Sequence, residues 1–266
     1  MKKSVIVFKV VSALVLSLVF LVQNVSVNAD GFKPGAQNGD KSVYISPEEQ
    51  INKILNNPLF SKEKKQAAYE KYLIGNEIVS GKFYRDRSAN SSNIMNVPWC
   101  PQTEGYYCGP ASVQQVLTYL NGYSPSQDDL AKELNTTRYN GTDTGRIVDY
   151  LNSQISKTYE ARWSWKDKYV LEHMVVYATD VNDLPIIAHI IVPEHDTAGN
   201  PLPVYSWPFY TDGHYVVYNG YSNGGSTIHV TDPYAHMANY NQYRIRDGKY
   251  TVESWEGEKV TDRLIW

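Results

Sequence analysis

One of the two cysteines in this 266-residue chain stands where a helix is predicted to begin, in the stretch YCGPASVQQVL. Cys108 is followed by Gly109 and Pro110, and proline is favoured in the first turn of a helix. The partial positive charge and free N–H groups of a helix N-terminus favour a thiolate over a thiol. Gly109 is predicted to leave open space beside the sulfur. These residues predict a nucleophilic cysteine.

A thiolate that attacks a carbonyl group needs a base, a group that orients this base, and donors for the oxyanion. His214 opens one predicted strand, and Asp232 ends the next. Because a hairpin places the start of one strand beside the end of the other, these two residues are predicted cross-strand neighbours. Gln102 precedes Cys108 by six residues, and its amide is predicted to donate to the oxyanion together with the Cys108 backbone N–H.

The other five histidines are weaker candidates for the base. His189 lies within the apolar run LPIIAHIIV, which favours a core position on a strand. The rest fall in a segment of ambiguous periodicity, a polar loop, the middle of a strand and a position after a turn: His173, His195, His229 and His236. A surface histidine and an ordinary Asp-Pro turn are the alternative interpretation of His214 and Asp232.

Taken together, Q-x5-C-G-P-A at 102–111, GHYVV at 213–217 and Asp-Pro at 232–233 resemble the papain-like bacteriocin-processing peptidases. Those enzymes cut double-glycine leaders and have stand-alone secreted relatives. The resemblance extends over about residues 96–255. It implies a papain-like α+β fold, with a helical half followed by an antiparallel sheet.

The same resemblance implies a role for each matching residue. Cys108 attacks, His214 is the base, Asp232 orients the base and Gln102 completes the oxyanion hole. This chain differs in two features from the family members that are domains of export ATPases. It has a predicted signal peptide, and its segment 192–213 resembles an insertion. This segment is interpreted as a lid, as a substrate-binding loop or as a packed surface loop.

The second cysteine, Cys100, lies eight positions before Cys108. In an exported chain, a disulfide between the two would close a short loop and add modest stability. A structural or inactivating bridge is therefore an alternative to a free nucleophile. Reversible oxidation that regulates Cys108 is a further hypothesis for Cys100.

The first 29 residues predict a signal peptide that is cleaved after Ala29. Lys2 and Lys3 precede the apolar run 10–22, and small residues occupy positions 27 and 29, three residues and one residue before the cut. An uncleaved anchor is the alternative, but this run is shorter than the ~20 residues of a spanning helix. We therefore expect a secreted protein without stable membrane insertion.

Residues 30–95 predict an N-terminal unit with two helices. Ser46 and Pro47 form the start of the first, and the second runs over about 62–79. We interpret the unit as a propeptide, a packing extension or a targeting module. The small polar residues 87–93 are interpreted as a linker or a processing site.

Residues 96–266 are predicted to form the peptidase domain. Segments 214–221 and 226–231 flank Asn223-Gly224-Gly225 and predict a hairpin, and 184–192 predicts a buried strand. Residues 168–179 fit either a helix or a strand. Helices are expected to begin near Pro110, Gln127 and Thr144. Helices followed by antiparallel strands predict an α+β fold.

Without the signal peptide, 22 basic and 28 acidic side chains remain, a net charge of −6. This acidity disfavours nucleic acid and anionic lipid as partners. The resemblance to the peptidases implies a peptide or protein substrate. No metal-ligand spacing and no phosphate-binding glycine loop occurs, so no cofactor is expected. The sequence predicts a secreted cysteine peptidase. The alternatives are a cell-wall peptide hydrolase or transpeptidase, and a non-catalytic papain-like binding module.

Overall fold

The computed structural model describes residues 42–83, 88–163, 167–193, 211–234 and 248–266. Residues 36–266 belong to one compact unit. The predicted signal peptide lies outside the described residues, as do His195, His236 and most of the segment 192–213. In the described part of the chain, no helix has the length and apolar character needed to cross a membrane.

Helices account for much of the first half of the described chain. Their bounds are α1 Pro47–Asn56, α2 Lys62–Val79, α3 Cys108–Asn121, α4 Gln127–Glu133, α5 Thr144–Gln154, α6 Lys168–Tyr177 and α7 Ser254–Val260. Serine side chains accept N-cap hydrogen bonds at α1, α2 and α4, and aspartates do so at α5 and α6. The segment 168–179, whose periodicity is ambiguous, is helical: it forms α6 and continues into a π-helical turn, Ala178–Asn182.

The strands form one antiparallel sheet. Their bounds are β1 Asn93–Ile94, β2 Ala161–Trp163, β3 Ile186–Val192, β4 Thr211–Ser222, β5 Thr227–Thr231, β6 Lys249–Glu253 and β7 Thr261–Ile265. Their order is β2-β7-β3-β4-β5-β6, and β1 also pairs with β4. The predicted hairpin is confirmed, because β4 and β5 are joined by the turn at Asn223–Gly225. The α+β prediction is confirmed as well.

Alternate residues of β4 contribute to two separate hydrophobic cores, because successive strand residues point to opposite faces of the sheet. Tyr215 and Val217 pack in the core that contains α3, α4 and α5. Val216 and Tyr218 pack in the core that contains α6 and α7. The sheet is thus covered by helices on both faces, and β4 is central to both layers.

The N-terminal helices pack against the β2 edge of the sheet. The Gln50 side chain of α1 accepts a hydrogen bond from the Ala161 N–H at 2.7 Å and donates to the Ala161 carbonyl at 3.0 Å. This amide therefore satisfies backbone groups that an edge strand would otherwise leave unpaired. A propeptide that is removed on activation stays one of the three interpretations of residues 30–95.

Candidate active site

Cys108 is the first residue of α3, two positions earlier than the predicted helix start at Pro110. Tyr107 precedes it as the N-cap residue without a side-chain capping bond, and the first turn holds no acidic side chain. The positive end of the helix dipole, where the Cys108 sulfur is attached, is therefore not neutralised by a carboxylate of the first turn.

Gly109 has a packing role that was not predicted from the sequence. A Cβ atom at this position would lie 2.6 Å from the Cβ of Thr142, closer than real side chains approach. Thr142 is buried. The absence of a side chain at Gly109 thus allows the start of α3 to pack against Thr142. Open space beside the sulfur stays a prediction.

His214 and Asp232 are brought together by the register of β4 and β5. Val217 pairs with Thr231, so Asp232 follows the last paired residue of β5 and lies diagonally across from His214. The His214 Nε2 is 2.8 Å from the Asp232 Oδ1. His214 is 5% exposed and Asp232 is fully buried, so this contact is shielded from water.

The Asp232 carboxylate determines the charge state of His214. Burial alone lowers the pKa of the imidazole, but the charge of Asp232 and its hydrogen bond outweigh this effect and raise the pKa to about 10. A hydrogen bond between His214 and Cys108 acts in the same direction. Since Nε2 is bonded to Asp232, Nδ1 is the nitrogen left to face the sulfur. At neutral pH the site therefore places an imidazolium beside Cys108.

Asp232 also accepts hydrogen bonds from residues other than His214. The backbone N–H of Tyr234 donates to Oδ1 at 2.8 Å, and the hydroxyl of Tyr250 donates to Oδ2 at 2.8 Å. The indole N–H of Trp99 donates to the Asp232 carbonyl oxygen at 2.9 Å. The Tyr234 and Tyr250 donors thus fix the two oxygens of the carboxylate, and Trp99 fixes the backbone that carries it.

Gln102 lies against the segment that follows Asp232. Its backbone N–H donates to the Pro233 carbonyl at 2.9 Å, and its Nε2 donates to the Glu104 carbonyl at 2.8 Å. The side chain is 1% exposed, and its Oε1 has no hydrogen-bond partner among the described residues. The Glu104 bond orients the amide and leaves one N–H of Nε2 uncommitted. Within the described contacts, no hydrogen bond joins Gln102 to Cys108.

Side chains outside the predicted motif also hold these groups in place. Gln127 of α4 accepts from the Thr103 N–H and donates to the Pro101 carbonyl, both at 2.9 Å, so it anchors the loop on either side of Gln102. Tyr250 and Trp99 support Asp232 in a similar way. No spacing in the sequence links these side chains to the motif.

Both cysteines are free thiols, which contradicts the alternative of a bridge between Cys100 and Cys108. His189 is buried on β3 as expected, with its Nδ1 3.2 Å from the Asp262 Oδ2. Across the described ranges, no three His, Cys, Asp or Glu side chains are grouped closely enough to hold a metal ion.

Several solved structures are similar to this chain. The peptidase domain of Streptococcus ComA, a bi-functional ABC transporter involved in a quorum sensing pathway, is 20% identical, with 64% of this chain and 97% of that chain covered and a TM-score of 0.40. A double glycine motif protease from an AMS/PCAT transporter, in complex with the leader peptide, is 16% identical, with coverages of 65% and 91% and a TM-score of 0.37. Xylellain, a cysteine protease from Xylella fastidiosa, is 10% identical, with coverages of 71% and 87% and a TM-score of 0.45.

The family of the chain follows from its sequence. A comparison with curated proteins found no match. A profile of the Peptidase_C39 like family matches residues 94–259, a range that contains the predicted motifs and more than half of the chain. The resemblance found in the sequence is thus confirmed, and the chain belongs to the Peptidase_C39-like family.

Proposed function

We propose that this protein is a secreted cysteine peptidase that hydrolyses peptide bonds through Cys108, His214 and Asp232. The observation that carries the proposal is the continuous contact from a sulfur at a helix N-terminus to an imidazole and on to a buried carboxylate. A nucleophile, its base and a group that orients the base are the parts that acyl transfer needs. Membership of a peptidase family supports the same reaction class.

The reaction proceeds in two halves. The Cys108 thiolate attacks the carbonyl carbon of the peptide bond, and the His214 imidazolium gives its proton to the departing amine as the C–N bond breaks. The product of this half is a thioester on Cys108. Water then attacks the thioester while His214 accepts its proton, which releases the carboxylic acid and restores the thiolate and imidazolium pair. Asp232 keeps the ring orientation constant throughout.

Gln102 is proposed as a donor to the oxyanion of both tetrahedral intermediates. The uncommitted N–H of its Nε2 and the backbone N–H of Cys108 would supply the two hydrogen bonds. Burial of the Gln102 side chain supports this role, because a fixed donor in a water-poor site is worth more than a mobile one.

Secretion rests on the predicted signal peptide, and a peptide or protein substrate rests on the chemistry of the site. The same nucleophile and base would serve a cell-wall peptide hydrolase or transpeptidase, and an assay of muropeptides beside proteins separates these two substrates. The free state of Cys108 also removes the bridge that the binding-module interpretation used.

Cys108→Ala is expected to lower peptide turnover by at least about a thousandfold, because this change deletes the nucleophile. Cys100→Ala is the matched control, because it removes the same atom from the cysteine that has no proposed role in the reaction. This variant should keep its activity. The measurement is a proteomic cleavage-site profile, with labelling by a thiol-directed probe, and muropeptides are assayed beside proteins. Full activity in Cys108→Ala, or an unreactive Cys108 in the wild type, would reject the proposal.

A further inference from the structure

Asp232 lies between two strands and offers one carboxylate oxygen to each. Oδ1 is directed to His214 on β4, and Oδ2 accepts the hydroxyl of Tyr250 on β6. Tyr250 pairs with Val230, which precedes Asp232 by two residues, so tyrosine and aspartate are diagonal neighbours across the β5 and β6 pair. Aromatic side chains are long enough to bridge this diagonal. The aspartate is thus flanked symmetrically by a histidine and a tyrosine.

The backbone that carries Tyr250 is itself fixed against Asp232. The Asp232 N–H donates to the Gly248 carbonyl at 2.7 Å, and the indole of Trp99 donates to the Asp232 carbonyl at 2.9 Å. Gly248 has a φ of +68°, and a Cβ atom there would collide with the Trp99 indole and lie 2.7 Å from the Asp232 carbonyl oxygen. Only glycine fits both requirements. The start of β6 is therefore held at a fixed distance from the carboxylate.

We propose that Tyr250 is a positioning residue, whose hydroxyl keeps the Asp232 carboxylate turned toward the Nε2 of His214; this inference rests on the function proposed above. Asp232 is fully buried, and the Tyr250 hydroxyl holds Oδ2 while His214 and the Tyr234 N–H contact Oδ1, so the bonds to both oxygens together fix the rotation of the carboxylate. Without the Tyr250 hydroxyl, the carboxylate can rotate away from the imidazole. The hydrogen bond between Asp232 and the protonated His214 ring would then weaken.

The proton on His214 offers a direct measure of this effect. Burial lowers the pKa of His214 and Asp232 raises it, so a poorly oriented Asp232 must shift this pKa downward. Among the described residues, the titratable groups near His214 include Cys108 on α3, Asp232 after β5, the Tyr234 ring, Tyr250 through Asp232, and the pair formed by His189 and Asp262 beside Gly213.

The test is Tyr250→Phe, which removes the hydroxyl and keeps the ring. We expect about a tenfold lower kcat/KM. Iodoacetate is an anion that the His214 imidazolium attracts, so its reaction with Cys108 should slow when that proton is lost, and this alkaline limit of alkylation should lie roughly one pH unit lower than in the wild type. Alkylation is followed at Cys108 by mass spectrometry, so that Cys100 does not contribute. A purely structural tyrosine would lower the melting temperature and leave this alkaline limit unchanged.

Two comparisons separate positioning from general destabilisation. Tyr221→Phe removes a similar hydroxyl-to-carboxylate bond, 2.9 Å from Tyr221 to Asp180, and should leave the alkaline limit in place. In an Asp232→Asn background, Tyr250→Phe should cause little further loss, because both changes act through one carboxylate. The inference is overturned by an unmoved alkaline limit in Tyr250→Phe, by an equal shift in Tyr221→Phe, or by a full additional loss in the Asp232→Asn background.

Alkylation needs no peptide substrate, so failure of this inference can be distinguished from failure of the proposed function. A wild-type protein that cleaves nothing, but whose Cys108 alkylation limit moves in Tyr250→Phe, supports the positioning role and refutes the peptidase. An active peptidase whose limit does not move refutes the positioning role alone.

Discussion

At the scale of single residues, the balance of burial against charge determines the chemistry of the site. An isolated imidazole as buried as His214 would be neutral, because a low-dielectric environment disfavours its charged form. The Asp232 carboxylate reverses this outcome and raises the pKa of His214. A raised pKa means that the protonated ring stabilises the folded state fully below the ordinary pKa of 6.5 and loses this contribution as the pH rises toward about 10.

Gln102 permits a sharp test at the same scale. Gln102→Ala removes the uncommitted amide N–H and keeps the backbone bond to Pro233, so the loop retains an anchor. We expect kcat to fall about a hundredfold with little change in KM, because an oxyanion donor acts mainly in the transition state. Steady-state kinetics on a cleaved peptide would measure both constants.

A second glutamine provides the control for this prediction. The amide of Gln66 donates to exposed Glu70 on α2, so Gln66→Ala should leave kcat unchanged. An unaltered kcat in Gln102→Ala would exclude Gln102 from the oxyanion hole.

At the scale of elements, the position of α3 on β4 brings the sulfur to the imidazole. The Ser112 hydroxyl of α3 donates to the Tyr215 carbonyl at 3.2 Å, directly beside His214 in the chain. The Tyr215 hydroxyl donates in turn to the Thr142 carbonyl at 3.1 Å, and Thr142 packs against Gly109. The helix start, the strand and the segment before α5 therefore form one connected support for Cys108.

Gly109→Ala is expected to disrupt this support. The added methyl group would collide with Thr142 and push the start of α3 away, and a displacement of about 1 Å can lower activity a hundredfold. The measurement is kcat/KM together with the rate of Cys108 alkylation, both of which should fall.

Two further variants make the steric explanation testable. Gly105→Ala lies in the loop just before α3, where no atom beyond its chain neighbours comes within 4 Å of the added carbon, so it should be tolerated. Thr142→Gly combined with Gly109→Ala removes the clashing side chain and should restore part of the activity. No recovery in this double variant would mean that Gly109 acts through something other than Thr142.

At the scale of the whole molecule, the N-terminal helices contribute a buried cation to the rest of the compact unit. Lys71 of α2 donates to the Thr158 carbonyl at 2.8 Å and lies over the Trp266 ring, 5.0 Å from its centroid. Glu160 accepts from Arg162 at 2.8 Å and from the Trp266 indole at 3.0 Å nearby. Helix α2 thus covers the end of the sheet with polar contacts as well as apolar ones.

Lys71 should give the protein a distinct dependence of stability on pH. Burial lowers its pKa from 10.5 to about 7, although Glu160 opposes the shift. The unfolded chain therefore holds one more proton than the folded protein between these values, and the free energy of unfolding rises with pH across this range. Below about pH 7 the contribution is constant.

Lys71→Met should remove this slope relative to the wild type. Urea unfolding between pH 6 and pH 10 would measure this slope in both proteins. Subtracting the free energy of unfolding of the variant from that of the wild type cancels the titration of all other groups. Lys53→Met provides the control, because Lys53 forms an exposed pair with Asp149 and its replacement should leave the slope intact. Parallel stability curves for Lys71→Met and the wild type would contradict the prediction.

Some features of this protein were determined by short stretches of sequence alone. The start of α1 at Ser46 and Pro47, the full extent of α2 and the hairpin turn at Asn223–Gly225 match the structure, because caps and turns depend on a few adjacent residues. The nucleophile motif is equally local, since a cysteine at a helix start needs only its neighbours. His214 and Asp232 were within reach of prediction because one hairpin joins them.

Only the tertiary structure decided which side chains surround that motif. Tyr250 meets Asp232 through the register of β6, and Gln127 meets the Gln102 loop through the packing of α4, contacts that no local spacing encodes. The segment 168–179 was ambiguous because its apolar residues lack a clear period, and packing against the sheet determined that it is helical. The role of Gly109 also depended on Thr142, a residue thirty-three positions away that only the folded chain brings into contact.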